Sequence, residues 1–167
     1  MVAASFETIT KTDLRRLARI ADEEREDFFG RRPDWGLLYR RRLLCTALTG
    51  RSALHYCNGS SGLEQFDVCL LFATHAEAAF PHRWVSLRDF GDSKFGRTGT
   101  DGAYAGRRIR ITGRSIPGRP SDNPVTLLQS YFRRGRTPTA RQFKEDAAVL
   151  IGPVHYLGYI AWPTLLT

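Results

Sequence analysis

The chain is poor in cysteine, short of acid and without a long apolar run. Its three cysteines, Cys45, Cys57 and Cys69, are odd in number and never fall as C-x-x-C. That argues against a disulfide framework and against a structural zinc site. The longest apolar run, residues 68–73, is far short of the ~20 residues that a membrane-spanning helix needs. Residues 1–30 carry many charges and no apolar stretch of the secretory kind. A cytoplasmic protein without a membrane partner is the expectation. Several reaction classes also lack their motifs. No G-x-S-x-G is present, so a hydrolase elbow has no support. Gly96, Gly99 and Gly102 recur, but no Gly-Lys-Ser/Thr follows to make a P-loop. Asp89-Phe90-Gly91 spells the kinase metal-binding tripeptide, yet there is no His-Arg-Asp and the chain is too short for that fold. His55, His75, His82 and His155 show no ligand spacing, and there are no internal repeats.

The deficit of acid has a direct consequence. Lys and Arg number 25 against 17 Asp and Glu, a formal net charge of +8, and nearly all of the positive charge is Arg. Such an excess favours polyanionic partners, whether nucleotides, nucleic acid or acidic proteins. The 167 residues suit one domain, which at this size buries roughly 70% of its unfolded surface and needs no staple.

Periodicity predicts an α/β (α+β) protein with a small mixed sheet flanked by helices at both ends. Residues 1–50 read as N-terminal helices, 51–116 as the sheet core and 117–167 as C-terminal helices. Leu14, Leu17, Ala18 and Ala21 recur at helical spacing over 12–29, with Thr12 or Asp13 as cap and Gly30 and Pro33 as stops. A second helix is predicted over 34–48, with Gly50 as its C-cap glycine. Residues 53–57 are a strand candidate. Residues 66–73 form a near-continuous apolar run with one acid, as in a strand buried on both faces. Further strands are predicted over 84–90 and 107–112, a long loop over 89–106, a helix from Pro124 to Gly135, another through Leu150, and a last short strand within 155–162.

The order helix, strand, Gly-Ser turn, buried strand bearing an acid resembles the core of the nucleotidyltransferase superfamily. The resemblance covers about residues 35–112. In that family a Gly-Gly or Gly-Ser turn precedes a strand carrying Asp-x-Asp or Asp-x-Glu. Acids at i and i+2 point to one face of a strand and hold divalent metal against the nucleotide's phosphates. The glycine lets backbone approach the triphosphate, and the serine bonds a phosphate oxygen. The resemblance assigns the turn to Gly59 and Ser60, with Ser61 beside them, and the first acid, the catalytic and metal-binding one, to Asp67. Cys69 stands at the second acid. The third is expected in the middle of Ile109-Arg110-Ile111, where Arg110 stands.

Mg²⁺ is the cofactor the resemblance implies for an active enzyme, but one carboxylate and a thiol hold Mg²⁺ weakly. Arg110 would neutralise Asp67 or hold a phosphate itself. Asp89 or Asp92 are the substitutes if the loop folds back, and Lys94 and Arg97 are further phosphate-gripping candidates. The expected ligand is a nucleotide or another phosphorylated small molecule, with transferase activity either kept or lost.

Competing readings stay open. Asp67 and Arg110 can be a structural pair, residues 59–62 a plain polar turn, and Cys69 a small core residue. The Arg clusters at 31–32, 40–42, 107–110 and 133–136 equally suit a non-catalytic nucleic-acid-binding or regulatory domain, or a protein-interaction module. Three consecutive Arg on a helix fan over about 200° of its circumference, so the 40–42 cluster cannot form one stripe.

Overall fold

The computed structural model describes residues 8–58, 63–81, 84–91, 108–134 (132–134 by backbone alone) and 147–162. Helix α1 (Lys11–Arg31) opens on a capping box: the Asp13 amide donates to Thr10 Oγ1 at 3.2 Å and the Thr10 amide donates to Asp13 Oδ2 at 2.8 Å. The cap is therefore Thr10, just ahead of the predicted start, and Gly30 lies inside the helix. Pro33 starts helix α2 (Pro33–Tyr39), where its fixed φ and missing N–H suit the first turn.

The predicted 34–48 helix is then overturned. It stops at Tyr39, and Leu43–Thr49 is strand β1. Spacing alone cannot separate a buried helix from a buried central strand in so short an apolar run. The predicted strand over 53–57 is overturned as well. It lies in helix α3 (Gly50–Asn58), which buries Ser52, Ala53 and His55.

Strand β2 is Phe66–Ala73, β3 is Val85–Asp89 and β4 is Arg108–Ile116, close to expectation. Helix α4 (Pro124–Arg134) starts on Asn123, whose Oδ1 accepts from the amides of Val125 and Thr126 at 2.9 and 3.2 Å. Ala147–Gly152 is strand β5, not the end of a helix through Leu150. A 3-10 turn (Val154–Tyr156) leads to β6 (Ile160–Trp162).

All six strands form one mixed sheet in the order β3-β4-β2-β1-β5-β6. The sheet thus draws β1 from the stretch predicted as N-terminal helices and β5 and β6 from that predicted as C-terminal helices. Strands β2 and β4 run parallel, and every other pairing is antiparallel.

Alternation divides the core. Phe66, Val68, Leu70 and Phe72 of β2, with Ile109 and Ile111 of β4, face Leu14, Leu17, Phe28, Phe29 and Tyr39 of α1 and α2. Cys69, Leu71 and Ala73, with Ala148 and Leu150 of β5, face Val125 and Leu128 of α4. Asp67 has the parity of the second set, so it belongs to the α4 side of the sheet. No described helix is long and apolar enough to cross a membrane.

Candidate functional site

Asp67 lies second in β2, at the end of the sheet where β1 and β3 finish and β2 and β4 begin. It is half-buried. Register places Thr49 of β1 on one side of it and Arg110 of β4 on the other. The expected adjacency of Asp67 and Arg110 is thus a property of the parallel β2–β4 pairing. Arg110 is exposed, and among the described residues no ion pair within 4.0 Å joins the two. The Asp67 carboxylate instead accepts from Gln65 Nε2, 3.1 Å from Oδ1.

The turn that supports Asp67 went unread in the sequence. β1 ends at Thr49, and Gly50 reverses the chain into α3 with φ +63. A Cβ on Gly50 would sit 3.2 Å from Asp67 Oδ2. The glycine therefore meets two needs at once: a left-handed backbone and close approach to a carboxylate.

Ser52 completes the latch from full burial. Its Oγ donates to the Thr49 carbonyl at 2.8 Å and accepts from the Asp67 amide at 3.1 Å, while Thr49 Oγ1 donates to the Asp67 carbonyl at 3.3 Å. The Ser52 hydroxyl is thus spent on holding β1, α3 and β2 together and positions Asp67. Exposed Arg51 occupies the first turn of α3 at the same end of the sheet. The signal in the sequence was Gly50 directly after an apolar run that ends in a β-branched residue. It had the conformation expected of a C-cap glycine but follows a strand.

Other sequence-predicted residues divide clearly. Gly59, Ser60, Ser61, Asp92, Lys94 and Arg97 lie outside the described residues. Cys69 is buried among Cys45, Leu71 and Ala73, and burial pushes its thiol pKa up, against a smaller lowering by a hydrogen bond with Thr112. It stays a neutral core thiol rather than a ligand. Asp89 shares the Asp67 face but opposes Arg108, and its Oδ1 accepts from the Gly91 amide at 2.7 Å. Two strand spacings and two residues of offset put its Cα roughly 12 Å from that of Asp67. The two acids cannot jointly clamp one ion without a change in the backbone.

No group of three His, Cys, Asp or Glu suited to a metal occurs among the described residues. Their donor set does not fit a two-metal centre: one carboxylate, a buried thiol and an Arg where the other acids would stand.

A separate cavity of about 820 Å³ opens between α1 and the far ends of β1 and β5, lined by Leu43, Leu44, Ile151, Pro153 and Val154. It lies at the opposite end of β1 from Asp67. Its rim holds Arg25, which contacts Asp22 at 3.0 Å, and burial raises the Asp22 pKa despite that Arg. Comparison of the chain with family models, curated proteins and solved structures returns no match.

Gly50→Ala tests the turn. A left-handed alanine costs about 1–2 kcal/mol. For a chain of this size that is a fall in Tm of about 3–6 °C by circular dichroism. A Tm unchanged within error would mean that the turn relaxes freely and does not hold Asp67.

Proposed function

We propose that the chain is a nucleotidyltransferase-like protein that binds a nucleotide or another phosphorylated ligand at the Gly50–Asp67–Arg110 end of the sheet. One observation carries the reading. A strand, a left-handed glycine turn, a helix and an acid-bearing strand follow in order, with the glycine against the acid. The Gly-Ser turn of the superfamily then has its counterpart in Gly50 and Ser52, directly after β1. Gly59, Ser60 and Ser61 remain candidates outside the described residues.

In this reading Gly50 leaves room at the mouth. Arg51 and Arg110 offer exposed guanidinium groups to phosphate oxygens. Asp67, held by Gln65, repels an anion placed too deep. With a single carboxylate, binding rests on the arginines rather than on Mg²⁺, so phosphate recognition is the role proposed and no group transfer is assigned.

A thermal-shift panel of nucleoside triphosphates, each with Mg²⁺ and with EDTA, tests it. A ligand at 100 times its Kd adds about 2.7 kcal/mol to the folded state, a rise of roughly 5–10 °C. At least one triphosphate is expected to give such a rise, and to keep most of it in EDTA. Arg110→Ala should abolish the rise while moving the ligand-free Tm by no more than about 1–2 °C, since Arg110 is exposed. A flat panel for the native protein would overturn the reading. A rise that vanishes in EDTA would show that Mg²⁺ is needed and would overturn binding by the arginines alone.

A further inference from the structure

Among the described side chains, the structure sorts the arginine clusters by what each already does; Arg107 and the 133–136 cluster lie outside them. Arg31 Nη2 lies 3.0 Å from Glu24, and Arg32 pairs with Asp34 at 3.2 Å. Arg40 reaches Glu26 at 3.9 Å and lies over the Phe29 ring. Arg42 donates to the carbonyls of Ala73 and Thr74 at 2.9 and 3.0 Å. These clusters are occupied by helix packing and chain joints.

The β4 cluster is different. Arg108, Arg110 and Arg114 alternate along one strand on the α4 side, Arg108 and Arg110 exposed and Arg114 half-buried. Helix α4 covers β1, β2, β5 and β6 but leaves β3 open: Val85 is 45% exposed and Leu87 58%. Leu87 stands directly opposite Arg110, and Val85 opposite Thr112. One half of the sheet face is therefore a cationic row beside an apolar row, about 4.8 Å apart. The opposite layer carries no such excess: on α1 the six acids are matched by Lys11, Arg15, Arg16, Arg19, Arg25 and Arg31.

We infer that this β3–β4 face is a docking surface for single-stranded nucleic acid. Alternate strand residues lie about 6.7 Å apart, a repeat that an extended phosphodiester chain can follow over Arg108 and Arg110. Base faces then cover Val85 and Leu87 by apolar contact, which removes both side chains from water. A duplex fits poorly, because its bases are already stacked away and its charged backbone would desolvate against the two apolar side chains. Two acids share the face. Asp89 opposes Arg108 with one oxygen on the Gly91 amide, and Asp67 sits at the sheet's end. Both oppose a polyanion, so neutralising either strengthens binding. The surface adjoins the proposed nucleotide site and shares Arg110 with it, whereas Arg108, Val85 and Leu87 belong to this surface alone.

Fluorescence anisotropy with a labelled oligouridylate of about 12 nucleotides tests this on the full chain. The native protein is expected to bind at roughly 50 mM salt and to lose affinity steeply towards 200 mM. Arg108→Gln with Arg110→Gln should weaken binding by about tenfold and flatten the log–log salt slope by about 1.4, or 0.7 for each phosphate no longer neutralised. Arg15→Gln with Arg19→Gln removes the same charge from α1 and should change affinity by less than about twofold. Leu87→Ser should weaken binding without changing the slope, and Asp89→Asn should tighten it.

Circular dichroism melts confirm that each variant is folded. No binding by the native protein, an equal loss in the α1 control, or competition by polyglutamate or duplex as effective as by single strand would each overturn the proposal. The nucleotide panel is read separately. A nucleotide-induced rise without oligonucleotide binding removes this surface alone, and the reverse removes the nucleotide site alone.

Discussion

Tyr39→Ala is expected to cost about 3–5 kcal/mol of stability, the range for deleting a large buried ring. That is a large share of the roughly 5–15 kcal/mol that separates a typical domain from its unfolded state. Tyr39 ends α2 with no exposed surface. Its ring meets Phe72 and Phe80 edge-on, at centroid distances of 5.7 and 5.4 Å. Its hydroxyl donates to the Ala78 carbonyl and accepts from the His75 amide, the latter at 3.0 Å. One side chain thus packs the α2–sheet junction and ties down the segment that leaves β2. Urea unfolding should separate the two jobs. Tyr39→Phe keeps the ring and strands two backbone groups, for about 1–3 kcal/mol, while Tyr39→Ala loses both contributions. Equal midpoints for the two variants would mean that the ring contributes nothing beyond its hydroxyl.

The second large effect lies against the same cluster. Gly113 of β4 faces the α1 side, where Phe80 is stacked on Phe72 at a centroid distance of 4.6 Å and an interplanar angle of 15°. A Cβ on Gly113 would clash with Cε1 of the Phe80 ring. Phe80 is 2% exposed and its amide donates to Ser115 Oγ at 3.0 Å, so the ring has little freedom to withdraw. Overpacking typically costs about 1–3 kcal/mol, and Gly113→Val, with two further carbons, belongs at the upper end. Adding Phe80→Ala should remove the clash. The double variant should then be less destabilised than the sum of the single ones, by an interaction term of about 1–3 kcal/mol. Simple additivity would mean that valine is accommodated by a shift of the strand.

Both effects illustrate what the sequence discloses. Phe66–Ala73 was legible to the residue because eight consecutive positions offer only one charged side chain, and only a central strand hides both faces. Helix α1 was legible from Leu14, Leu17 and Ala21. By contrast, Leu43–Thr49 and Ala147–Gly152 are similarly apolar, yet each adjoins a stretch with good helix formers, and the pattern of the neighbours was extended across them. What makes them strands is their pairing with each other and with β2, which is non-local.

The same holds at the site. The closeness of Asp67 and Arg110 could be anticipated because each lies in a readable strand. Gly50 and Ser52 could not, since their meaning depends on where β1 ends. The role of Phe80 was invisible too: a phenylalanine in a loop has no period, and only Gly113, distant in sequence, reveals the slot it fills.

The place of β1 in the sheet has a consequence for biosynthesis. Its partner β2 follows closely in the chain, but its other partner is β5, so that Leu48 must await Val149, about 100 residues further on. On a ribosome adding about 5–20 residues per second, that interval lasts on the order of 5–20 s. Throughout it the nascent chain carries a bare, apolar strand edge at the middle of its future sheet, open to pairing with any other exposed strand. Expression at low temperature with excess chaperone should therefore raise the soluble yield of this chain more than it raises that of a protein whose central strands pair early. A co-expressed peptide matching β5 should intercept the unfinished sheet.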